Sequence, residues 1–242
     1  MKQIFLLLGI SICILFTLGA KSENYNIYSP DNYSVSSQPQ DMTLFILDFS
    51  NSMSEYLEGK SKAEMMIDTV KKLLPTISEN SYVGLRVYGH KAGFTPFDAC
   101  RASSLVVPVG KRDIEAMDFA LSKTKPRGMT PITYSLKQAI RNDFIGFTGR
   151  KHIILLTDGG ENCDESPCKF VIELMKIRRD VTIDVIAFNI KDKDDLAQLR
   201  CTSLVTGGKF YSANTAAELA KSLGSSARVH KEVEAKILPS GR

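Results

Sequence analysis

Two stretches of the chain lack any polar alternation. Residues 44–47 read Leu-Phe-Ile-Leu, and residues 152–156 are apolar after an opening histidine. An apolar run of this length with no period of two is the pattern of a strand buried on both faces of a parallel sheet. Between and after them the period changes to that of helices. Ser61 and Glu64 form a capping box, and Met66, Ile67, Val70, Leu73 and Leu74 then recur at helical spacing until Pro75 stops the helix. Further strands are expected at 82–88, 105–109, 181–190 and 209–211, with Pro108 placing 105–109 at a sheet edge. Helices are expected at 113–121, at 131–140, from the Ser166-Pro167 cap through 177, at 194–205, and after the Thr215/Glu218 cap. Gly207-Gly208 closes the fourth of these. Alternation of this kind predicts an α/β domain with a mainly parallel sheet of six strands.

Upstream of residue 42 the pattern is different. Met1-Lys2-Gln3 precedes an uncharged apolar run over 4–20 that ends Leu-Gly-Ala, the arrangement of an export signal. The run is slightly long for a signal and slightly short for a span, so an uncleaved anchor is the alternative. Either reading puts the remainder outside the cytoplasm: periplasmic, secreted or at a cell surface. Residues 21–41 are polar and rich in Ser, Asn and Tyr, which reads as a flexible linker. The whole chain of 242 residues carries a formal charge of +4 with 24% charged residues. That basicity is too mild and dispersed for nucleic-acid binding, and contact with a membrane is expected only through an uncleaved N-terminal segment.

Oxygen-bearing residues gather where the buried strands end. The first strand ends on Asp48 and leads to Ser50 and Ser52; the 152–156 strand runs into Thr157-Asp158-Gly159-Gly160. Functional groups of open α/β sheets collect past the carboxyl ends of strands, where strand order reverses. Two carboxylates there would repel each other unless a cation lies between them. Ser50 and Ser52, at alternate positions of an extended turn, can point the same way, and Thr130 adds a third hydroxyl from the loop entering a helix. Two carboxylates and three hydroxyls suit Mg²⁺ or Mn²⁺ and argue against zinc or copper.

Asp48-Phe49-Ser50-Asn51-Ser52, then Thr130, then Asp158-Gly159 resemble, in order and strand context, the metal-ion-dependent adhesion site of von Willebrand factor A-type domains. The resemblance runs from about residue 42 to the last helix. It implies a doubly wound, Rossmann-like sheet with helices on both faces, and a domain over 42–228 followed by a tail over 229–242. It also implies that Ser50, Ser52 and Thr130 contact a metal directly while Asp48 and Asp158 act largely through water. The open metal position would take a Glu or Asp carboxylate from a partner protein. Narrower similarity to exported bacterial members rests on Tyr88-Gly89-His90, on 158–163 with Pro167-Cys168, and on Leu199-Arg200-Cys201.

Cys100, Cys163, Cys168 and Cys201 form an even set in a chain read as exported, so two disulfides are expected; four cysteines allow three pairings. A zinc site of four thiolates is disfavoured by their wide spacing. The function expected is therefore a metal-dependent adhesion module. A scaffold whose metal serves only stability is the alternative, and a metal-dependent hydrolase the least favoured. No Ser-His-Asp arrangement, phosphate loop or H-E-x-x-H stretch accompanies the aspartates. His90 reads as structural, and Phe94 and Phe97 read equally as a contact surface or as loop packing.

Overall fold

The computed structural model describes residues 41–237, with side-chain burial given through residue 227. The expected signal or anchor segment and all of the linker before Asp41 lie outside it. The elements in chain order are β1 (Met42–Asp48), the short hairpin β2 (Tyr56–Leu57) and β3 (Lys60–Ser61), and α1 (Lys62–Leu73). There follow β4 (Tyr82–Tyr88), α2 (Pro96–Ala99), β5 (Ser103–Lys111), α3 (Ile114–Lys123) and α4 (Ile132–Gln138). The chain continues through β6 (Lys151–Thr157), α5 (Pro167–Ile177), β7 (Val181–Phe188), α6 (Lys193–Val205), β8 (Phe210–Ala213) and α7 (Ala216–Ile237).

Six strands form one sheet in the order β5-β4-β1-β6-β7-β8. Only β5 is antiparallel, and it is the edge strand that Pro108 requires. The period of two sorts β1 between two cores. Phe45 and Leu47 face Met66 and Val70 of α1, Met117 and Leu121 of α3, and Leu219 and Leu223 of α7. Leu44 and Ile46 face Ile132 and Leu136 of α4, Val171 and Leu174 of α5, and Leu199 of α6. With both faces covered, a polar residue inside β1 would be stranded in one core or the other, which is why the run is unbroken.

Two winding directions meet at the centre. From β1 the chain crosses by α1 to β4, whereas from β6 it crosses by α5 and α6 to β7 and β8 in the other direction. Right-handed crossovers going opposite ways require helices on opposite faces, as α1 and α5 are. The crevice between the carboxyl ends of β1 and β6 is thus the switch point of the sheet.

Three details differ from the sequence reading. Residues 51–54 make a tight 3₁₀ turn instead of an extended one, because the Met53 amide donates to the Ser50 carbonyl at 3.1 Å. The last helix does not give way to a tail at 229; α7 runs to Ile237, since no proline interrupts it before Pro239. The 131–140 helix is α4 followed by a wider turn over Ala139–Asp143. That turn delivers Asp143 to Arg86 of β4, whose guanidinium donates to both carboxylate oxygens at 2.6 and 2.7 Å.

Candidate metal centre

The site is assembled by three loops that touch through their backbones. The Phe49 amide donates to the Tyr88 carbonyl, the Asn51 amide to the Gly128 carbonyl, and the Arg127 amide to the carbonyls of Phe49 and Gly89. Ser50 and Gly128 form an isolated parallel bridge. Such close approach dictates two glycines. Gly89 has φ +70°, and a Cβ there would lie 2.5 Å from the Ser50 nitrogen; a Cβ on Gly128 would lie 2.3 Å from the Lys91 carbonyl oxygen.

Within this frame the predicted oxygens converge. The Ser50 amide donates to Asp48 Oδ1 at 2.6 Å, and Thr157 Oγ1 donates to Asp48 Oδ2 at 2.7 Å. Ser50 Oγ lies 3.1 Å from Ser52 Oγ, which donates to Asp158 Oδ1 at 2.6 Å. Four of the five predicted residues therefore share one continuous cluster across β1 and β6. Thr130, the fifth, is buried two residues beyond the Ser50–Gly128 bridge, with its amide donating to Asn162 Oδ1 at 2.7 Å.

Electrostatics at the cluster are those of a site short of positive charge. Burial, followed by repulsion from Asp158, pushes the Asp48 carboxyl up to about 6. Beside it the Tyr88 hydroxyl is fully buried without a well-aligned hydrogen-bond partner among the described residues, and burial and the charge of Asp48 raise it well above the ordinary phenol range. Among the described residues one cation reaches the cluster from the protein itself. Lys62 Nζ donates to Asp158 Oδ2 at 2.9 Å and to Glu55 Oε2 at 2.6 Å, with only 6% of its side chain exposed. The chemistry of this donor set fits a hard divalent ion: two carboxylates, one of them raised by burial and by a like charge, and three hydroxyls. Among the described residues no group of three His, Cys, Asp or Glu side chains is placed to hold a metal, so a metal here would depend on the hydroxyls.

Two disulfides flank this face. Cys100, at the end of α2, joins Cys163 in the loop after β6, and Cys168 of α5 joins Cys201 of α6, with Cα–Cα separations of 5.5 and 5.4 Å. A four-thiolate zinc site is thereby ruled out. Glu161, beside Cys163, accepts from the Thr133 amide at 2.6 Å and from the Cys163 amide at 3.0 Å, tying the 158–163 loop to the start of α4.

A family model described as von Willebrand factor type A domain matches residues 43–224. The chain belongs to this family. Among curated proteins it is similar to YwmD, an uncharacterised protein of Bacillus subtilis, at 27% identity over 199 residues, covering 80% of this chain and 87% of that one. Among solved structures it resembles the von Willebrand factor domain of the type V pili tip protein Mfa5 from Porphyromonas gingivalis, with a TM-score of 0.58 and 17% identity over 84% of this chain and 98% of that one. It also resembles proximal thread matrix protein 1 of the mussel byssus, solved with a zinc-occupied MIDAS motif, with a TM-score of 0.62 and 17% identity over 79% of this chain. Only 46% of the mussel protein is matched, so that likeness is one of domain fold.

Several residues of this von Willebrand factor type A domain were not legible as site residues in the sequence. Lys62 follows a capping serine, where a lysine reads as a solvated helix residue; its partners Glu55 and Asp158 come from other elements. Thr157 ends β6, and the sequence reading gave it no role beyond leading from the apolar strand into Asp158. Its position next to Asp158 was the available signal. Asn162 and Glu161 were visible as polar loop residues, but their roles as loop ties depend on where α4 begins.

Proposed function

We propose that this domain is an exported protein-binding module that docks a Glu or Asp carboxylate of a partner protein on a bound Mg²⁺ or Mn²⁺ ion. The observation that carries the reading is the unbroken Ser50–Ser52–Asp158 cluster beside Asp48, at the switch point of the sheet. Ser50, Ser52 and Thr130, with Asp48 and Asp158, would hold the ion. When bound, the cation supplies positive charge that neutral hydroxyls do not cancel, and an incoming carboxylate can take it up. The chain's own part is to fix the hydroxyls: the glycine-bounded loops set their positions, and Thr157 and the Ser50 amide orient Asp48.

Two disulfides favour an oxidising compartment, in keeping with the export signal read at the N-terminus. The pilus-tip and byssus proteins among the structural matches lend support to an adhesive role.

Calorimetric titration of the purified protein with Mg²⁺ and with Mn²⁺ tests the reading. The expected result is saturable binding that the D48A/S50A variant loses. Equal binding by that variant would sink the proposal. A partner retrieved from the native cell envelope in Mg²⁺ should also be released by chelator, whereas a metal serving stability alone would leave such a complex intact.

A further inference from the structure

A groove of about 570 Å³ opens beside the candidate metal centre, between the edge strand β5, helix α3 and the loops that carry residues 90–91 and 124–127. Its charge is one-sided. Lys91, Lys123, Lys125 and Arg127 line it, and no acidic residue does. None of the four makes an ion pair among the described residues; Lys123 lies 5.5 Å from the centroid of the exposed Phe119 ring. Glu64, close enough to feel Lys125, is already occupied by the Ser61 amide and hydroxyl. His90 adds no charge at neutral pH, because burial and Lys91 hold it down to about 4. Like charges gathered without partners cost free energy, which a ligand of opposite charge would recover.

The floor is apolar, formed by Val106 of β5 and by Ala116 and Ala120 of α3, which pack on the core beneath, while Phe119 of α3 is exposed. Cations around an apolar floor match an extended peptide that alternates acidic and apolar side chains, since successive residues of a strand point to opposite sides. An anionic polysaccharide or polyphosphate would leave the floor without a use. The groove is also continuous with the metal face. Arg127 donates its amide to the Phe49 and Gly89 carbonyls, and the Lys91 carbonyl lies against Gly128, so both cations ride on the loops that frame Ser50.

We propose that this groove binds an acidic, apolar-alternating segment of the same partner whose carboxylate docks on the metal. The proposal rests on the metal-docking reading for the partner's second contact, but the groove itself is built from other residues. Charge in the groove gives specificity and speeds encounter; the metal gives a single anchored contact.

The test uses a fluorescein-labelled octapeptide of alternating Leu and Glu as probe, with a Leu/Gln octapeptide as control, in anisotropy titrations of the purified protein in excess Mg²⁺. The wild type should bind the Glu peptide and not the Gln peptide, and its affinity should fall about tenfold or more between roughly 0.05 and 0.5 M salt. K123E/K125E should lower affinity by about tenfold or more while Mg²⁺ binding by calorimetry stays unchanged, and K123Q/K125Q should lie between. No binding by the wild type, or equal binding by K123E/K125E, overturns the groove proposal and leaves the metal reading standing. S50A/S52A that loses Mg²⁺ yet binds the peptide as tightly as wild type overturns the docking of the peptide's carboxylate on the metal and leaves the groove. Displacement of the peptide by poly(glycerol phosphate) at equal charge concentration, with the same sensitivity to K123E/K125E, overturns the assignment to a peptide.

Discussion

Lys62 carries the sharpest prediction of any single residue. Its ammonium is the protein's own counter-charge to Asp158, held there by a side chain that is almost wholly buried. Breaking a buried pair by removing one partner strands the other charge, at a cost of about 3 kcal/mol or more. K62M should therefore lower the stability of chelator-treated protein by about that amount in urea denaturation. Mg²⁺ should narrow the deficit, because a divalent ion neutralises the same carboxylate, and Mg²⁺ affinity should rise once the competing positive charge is gone. A variant whose urea midpoint in chelator and whose Mg²⁺ affinity both match wild type would show that Lys62 is only a surface residue folded inward. Nothing in the sequence marks this lysine, since its neighbours Ser61 and Glu64 explain the local pattern as a capped helix start.

Strands and helices explain why the site lies where it does. β1 and β6 could be read from sequence because burial on both faces leaves no alternative to an apolar residue through 44–47 and 153–156. β2, β3 and α2 could not, since elements of two to four residues have no period to detect. The link between β4 and the turn after α4 was equally hidden, because Arg86 and Asp143 are 57 residues apart and each alone looks misplaced. Their side chains are 5% and 2% exposed, so the pair is a buried one. R86M or D143A alone should cost about 3–5 kcal/mol, while R86M/D143L should recover most of the loss, because an apolar pair leaves no charge stranded. Denaturant midpoints for the three variants would check this, and additive losses in the double variant would show that the two residues do not act as a pair.

At the scale of the whole domain, two disulfides close loops of 63 and 33 residues. In the chain-entropy account each restricts the unfolded state by about 4 kcal/mol. Replacing either pair by serine should lower the thermal midpoint by a comparable step, and the two losses should add, since the bridges tie different elements. Their functional effects should differ. Cys100–Cys163 ties the end of α2 to the loop whose Asn162 accepts from the Thr130 amide, whereas Cys168–Cys201 ties α5 to α6. C100S/C163S should thus weaken Mg²⁺ binding more than C168S/C201S, as calorimetry at a temperature where both remain folded would reveal. An equal effect on binding would mean that neither bridge braces the metal face.

The sequence by itself determined the α/β class and the six strands of the main sheet, and it singled out five oxygen-bearing residues as candidates, because periodicity and strand-end chemistry are local properties written at fixed spacings. It also limited the cysteines to disulfides without choosing the pairing. Tertiary structure decided what depends on distance across the chain: Cys100 with Cys163, Lys62 against Asp158, Thr157 on Asp48, and Lys91 beside Arg127 around an apolar floor. Each is a meeting of residues from different elements, whose electrostatic and packing energies exist only once the sheet has wound both ways from its centre.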